Sequence, residues 1–195
     1  MSANLRQEIL QQAVRLLAEG AEVDYLAAKS KAAKRLGYAG QQELPSNVEI
    51  QQALKKYQSI FHPNKHENDI AEKRREALNA MMCFEQFEPR LVGAVLEGIA
   101  IEHSPIEIHL FVDSPKDVTL FLIDKKIPYD IVDIQFKINK NESIQIPMLE
   151  FSAGEHSIQL CVFPYKYLRH KPIDPKTGAA YSRATLKKVK DLLAA

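Results

Sequence analysis

The apolar residues of this chain change their period once, and that change constrains the fold more than any other feature. Up to about residue 87 they recur every three or four positions, and from Ile106 onward they alternate. A chain that is helical first and strand-rich afterwards belongs to the α+β class, with a helical N-terminal half followed by a small mixed or antiparallel sheet with flanking helices.

In the first half, Leu5, Ile9, Leu10, Ala13, Val14 and Leu17 predict a helix over 4–18 that Gly20 ends. An alanine-rich helix follows over 23–36, with Lys29, Lys31, Lys34 and Arg35 outside, and stops at Gly37. Ser46 stands three residues before Glu49, the spacing of a capping box, and opens a helix whose inner face is Ile50, Ala53, Leu54, Tyr57 and Phe61. His62-Pro63-Asn64 reads as the loop that ends it, because proline disfavours helical geometry in the residue before it. Ala77, Leu78, Met81, Phe84 and Phe87 then mark a helix over 69–87. Pro89 breaks the pattern, and 91–96 reads as a short helical or turn segment.

In the second half, Ile106, Ile108 and Leu110 alternate with Glu107, His109 and Phe111 as a strand. Ser114 and Asp117 signal the start of a helix that Pro128 has ended. The runs 131–138 and 143–148 form paired strands around Asn139-Lys140-Asn141, and 157–163 is another strand. A connection rich in proline, glycine and basic residues leads from 164–180 to a last helix over 182–193. The chain divides accordingly into a helical region, 1–74, and an α+β region with a C-terminal helix, 75–195.

The hydrophobic share, 46%, is enough to build a core and excludes a chain dominated by disorder. A net charge of +1 gives no overall field for a polyanion, although eight basic residues between Lys166 and Lys190 face only Asp174 and Asp191. The start of the sequence lacks a basic stretch followed by an unbroken apolar core, and no run is long enough to span a bilayer, so a cytoplasmic protein with no membrane contact is expected. Cys83 and Cys161 both lie in apolar patterns and read as buried free thiols.

Chemistry concentrates at the start of the strand-rich half. Glu107 and His109 are two apart on one strand and so share a face, which reads either as the wet side of a half-buried strand or as one wall of a phosphate or metal site. Just before them, the glycines at 93 and 98 allow backbone N–H groups to approach a phosphate closely. No nucleophile-elbow, Walker or HExxH pattern occurs. Phe163, Tyr165 and Tyr167 interleave with Lys166 and Arg169. This strip suits base stacking, but Phe163 and Tyr165 are better placed as core residues with Lys166 outside.

The run Leu91-Val92-Gly93-Ala94, followed by His103-Ser104-Pro105-Ile106-Glu107-Ile108, resembles the nucleotidyltransferase fold of the DNA polymerase beta superfamily. There a Gly-Ser signature precedes Asp-x-Asp on a strand, and a third carboxylate comes from a later strand. The resemblance implies Glu107 and Asp133 as catalytic carboxylates, with Gly93, Ala94, His103 and Ser104 around the phosphates. It further implies Glu107, His109 and Asp133 as ligands of Mg²⁺ or Mn²⁺ where the site functions. Ala94 replaces the signature serine and Pro105 the first aspartate, so the resemblance implies a protein without the ordinary two-metal site. The alternatives are a divergent metal-dependent enzyme acting on a nucleotide triphosphate, or a regulatory or protein-interaction module. The chain is also similar to small bacterial proteins that join a helical N-terminal region to such a Gly-to-strand segment. A more limited resemblance, to the J-domain of co-chaperones, rests on His62-Pro63-Asn64. Asn64 stands where that family has an aspartate, so the carboxylate that would pair with a chaperone arginine is missing.

Overall fold

The computed structural model describes residues 3–22, 24–38, 44–61, 63–139, 142–170, 172–174 and 178–194. His62, Lys140 and Asn141, named above, lie outside them, as does Val23, where the second helix is expected to begin. The chain forms two compact units, one of Met1–Asp69 with Ile101–His103 and Lys176–Ala179, the other of Ile70–Ala100, Ser104–Pro175 and Ala180–Ala195. The boundary expected at 74/75 falls inside a helix that runs through both. No helix among the described residues is long and apolar enough to cross a membrane.

The first unit is built on α1 (Ala3–Ala18), α2 (Tyr25–Arg35) and α3 (Asn47–Phe61). The expected stripe of α1 is its core: Ile9, Leu10, Ala13, Val14 and Leu17 are buried against Ala28, Ala32 and Ala33 of α2 and Ile50 and Leu54 of α3. Alanines at the contact let the helix axes approach closely. Gly20, at φ +69°, ends α1, and the Asp24 carboxylate opens α2 by accepting the Ala27 N–H at 2.8 Å.

The capping box is formed as the sequence predicts. Ser46 N–H donates to Glu49 Oε2 at 2.8 Å, and Glu49 N–H donates to Ser46 Oγ at 3.2 Å. Arg6 of α1 adds a two-pronged pair to the same carboxylate, 2.7 Å on each prong. Arg6 and the Ser46 donors hold the Glu49 carboxyl down at about 2. Glu49→Gln is expected to cost about 1 kcal/mol, mostly through the cap, since a half-exposed ion pair adds little in water. A depressed carboxyl stabilises the folded state above its ordinary value of 4.5 and ceases to do so as pH falls through about 2. The gap in urea midpoint between wild type and Glu49→Gln should therefore narrow steadily over that range. A gap independent of pH would refute the assignment.

α4 (Pro63–Cys83) starts earlier than the periodicity suggests. Pro63 is its first residue, a position where the missing N–H costs nothing, so Pro63 and Asn64 begin a helix instead of forming a loop. A short 3-10 turn, Glu85–Phe87, follows. Arg90–Val92, expected to be helical or turn, is strand β1. It leads through Gly93 into α5 (Gly93–Glu97), β2 (Ile106–Val112), α6 (Pro115–Asp124), β3 (Asp130–Lys137), β4 (Ser143–Ala153), β5 (His156–Pro164) and α7 (Leu186–Ala194). Ser114 caps α6 without a side-chain bond.

Among the described residues the strands form one mixed sheet in the order β1-β2-β5-β4-β3. β2 runs parallel to β5 and antiparallel to β1. One face carries Ile106, Ile108, Leu110, Leu149, Leu160 and Val162, in the same core as Met81 of α4, Phe84 just after it, and Val118 and Leu122 of α6. The other carries Phe111, Phe136, Ile146, Cys161 and Phe163, covered by Tyr167 and Tyr181 from the segment after β5. That segment is tied down by isolated bridges, Lys137 with Ile173 and Leu91 with Ala184. Tyr167, not Tyr165, is the aromatic that enters the core, because Tyr165 is half exposed. Of the two thiols Cys161 is buried as expected, whereas Cys83, near the end of α4, is exposed.

A buried polar cluster on an inner strand

β2 has no wet face. All seven of its residues are buried, including Glu107 at 8% exposure and His109 at 1%. The alternation predicted which side chains share a side, but a strand with neighbours on both edges and cover on both faces exposes neither.

α4 positions the turn before this strand. Arg74 donates to the carbonyls of Val95 and Leu96 at 3.2 and 2.9 Å, closing the C-terminal end of α5. The buried Lys73 ammonium donates to the Ser104 carbonyl at 3.1 Å. Between them Gly93 adopts φ +69°, and a Cβ built there would lie 2.8 Å from Glu107 Oε1 and 2.9 Å from its Cδ. The glycine is required twice over, for its backbone angle and for the carboxylate against its Cα.

His109 lies within a ring of aromatics, with centroids 4.7 Å from Phe163, 4.9 Å from Tyr181 and 5.6 Å from Phe136. Its Nδ1 accepts from Arg183 Nε at 3.2 Å. Arginine only donates, so Nδ1 carries no proton and the hydrogen sits on Nε2. Burial, then the Arg183 charge, holds the imidazole well below its ordinary range, so it is neutral at pH 7.

Arg183 donates through Nη1 to the carbonyls of Tyr167, Leu168 and His170, and its guanidinium lies 4.7 Å over the Phe111 ring and 5.3 Å over Phe163. Burial, then the charge of Arg90, lowers it to about 10. Tyr181 is shifted upward by burial and by the charges of Glu107, Asp174 and Cys161, so its hydroxyl keeps its proton.

The predicted site residues do not all converge. Gly93 and Glu107 are in contact, and Glu107 shares a face with His109. Ala94 lies in α5, partly buried. Ser104 precedes β2 and Pro105 follows it there, offering no donor. His103 is exposed and groups with the first unit. Asp133 is elsewhere: it is on β3, the far edge strand, with β5 and β4 between it and β2. It pairs with Pro147, on the side of β4 that carries Leu149, so it faces the helix layer while Glu107 and His109 face away. Three inter-strand steps are about 14 Å, and direct Mg²⁺ ligands stand about 2 Å from the ion. Glu107, His109 and Asp133 therefore do not form one metal site, and no group of three His, Cys, Asp or Glu among the described residues is arranged to hold one. The residues present do not fit the two-metal centre that the resemblance implies.

Arg183, Tyr181 and Arg90 are the members that sequence reasoning missed. The only signal is the alternation of Tyr181 and Arg183 ahead of α7, within a stretch whose basic residues read as solvated. No family model, curated protein or solved structure matches the chain.

Proposed function

We propose that this chain is a nucleotidyltransferase-like protein without two-metal chemistry, serving as a binding or regulatory module. The observation that carries the reading is the separation of the two carboxylates, Glu107 buried against Gly93 and Asp133 on the opposite face at the sheet edge. The glycine-to-acid contact supports the likeness to the superfamily. Pro105, whose side chain has no ligand atom, supports the loss of chemistry. The module would take a nucleotide or a protein as partner, and nothing in its operation needs Mg²⁺ or Mn²⁺.

The test is label transfer from each of the four nucleoside triphosphates with Mg²⁺ or Mn²⁺, together with calorimetry on the same set. No metal-dependent incorporation is expected, and metal should not change any heat of binding. Incorporation that disappears in Glu107→Ala or Asp133→Ala would overturn the reading in favour of a divergent enzyme.

A further inference from the structure

Arg183 is partly buried, and among the described residues no carboxylate forms an ion pair with its guanidinium. Nε and Nη1 donate only to neutral acceptors, one imidazole nitrogen and three carbonyls. Nη2 is buried with no acceptor, and no described carboxylate forms an ion pair with it. Buried charges are ordinarily paired, and an unsatisfied buried donor ordinarily marks a bound water or ion.

The surroundings favour an ion. Arg90 stands directly opposite His109 in the β1–β2 ladder, so its side chain leaves the sheet on the face that Arg183 crosses. It is partly exposed and donates to the carbonyls of Glu88 and Pro89 and, at 3.0 Å, to the Glu88 carboxylate. Its charge is felt at Arg183, two like charges on one patch of sheet. The carboxylates of Glu107 and Asp174 act on Tyr181, and neither forms an ion pair with Arg183. A water would supply an oxygen to Nη2 but no charge to offset the Arg183 guanidinium, whereas an oxyanion supplies both.

We propose that Arg183 and Arg90 together bind a small oxyanion, a phosphate or carboxylate group, on the face of the sheet opposite the helices. Arg90 forms the open side of the site and Arg183 its floor. The proposal is independent of the nucleotidyltransferase-like reading, since it requires neither metal nor nucleoside.

The full chain should be titrated in a metal-free buffer at constant ionic strength with inorganic phosphate, citrate and adenosine monophosphate, with chloride as the blank, by calorimetry and thermal unfolding. Saturable binding with Kd of about 1 mM or tighter is expected for phosphate or citrate, with unfolding temperature rising in step. Phosphate alone would identify a phosphoryl group as the ligand, and citrate alone a carboxylate. Arg90→Gln and Arg183→Lys should each weaken binding about tenfold. Arg90→Gln decides the matter if Arg183→Lys does not fold. The site is refuted if phosphate and citrate show no saturation, if binding is unchanged in Arg90→Gln, or if only adenosine monophosphate binds, which would place recognition on the nucleoside.

Discussion

Arg183→Met is expected to lower stability by about 3 kcal/mol, with the unfolding temperature falling by roughly 10 °C. Methionine approximates the length of the arginine stem and keeps some contact with Phe111 and Phe163. It leaves the carbonyls of Leu168 and His170 and the His109 Nδ1 without the Arg183 donor, while the Tyr167 carbonyl keeps the His170 N–H. Those bonds join the segment after β5 to β2, and the segment's bridges to the sheet are isolated ones, to β1 and β3. Arg183→Lys should cost nearly as much, because a single ammonium can neither serve acceptors on several sides nor lie flat on two rings. Urea unfolding at pH 7 measures both variants. A loss under about 0.5 kcal/mol in either, the range of an ordinary surface change, would mean that the guanidinium does not hold this segment.

The same bond shows where the sequence stops being informative. Ser46 and Glu49 are close enough in sequence for the capping box to be read directly, and the apolar stripe of α1 is likewise a local pattern. Arg183 and His109 are 74 residues apart, and nothing near either one signals the other. The polar residues of β2 look solvated in sequence because alternation records side-chain polarity and not the cover that tertiary structure supplies. Asp133 fails for a related reason. Its distance from Glu107 depends on strand order, which local pattern does not encode, and the β4–β5 hairpin comes between them. β1 has only three residues, too few to display any period, which is why it read as helix or turn. What the sequence does convey about the site is the spacing of Gly93 and Glu107, and in the structure those two residues touch.

Gly93→Ala is expected to destabilise by about 2–5 kcal/mol, from two separable causes. An L-residue at φ +69° costs about 1–2 kcal/mol. The new Cβ would also lie 2.8 Å from Glu107 Oε1, and forcing an extra methyl into a filled space costs about 1–3 kcal/mol. Gly20→Ala isolates the first cause, because Gly20 has the same φ of +69° and nothing within 4 Å of its Cβ position. The excess of Gly93→Ala over Gly20→Ala is then the cost of displacing the carboxylate. Removing that carboxylate should remove the excess, so Glu107→Ala and Gly93→Ala combined should be about 1–3 kcal/mol less destabilised than the sum of the single variants. Strict additivity would mean that Glu107 swings aside freely. A residue free to do so could turn toward a ligand, whereas a coupled one is fixed against the glycine. The sign and size of the coupling, measured by urea unfolding, thus test whether Glu107 is a structural partner of Gly93, as its burial and the proposed loss of metal chemistry require.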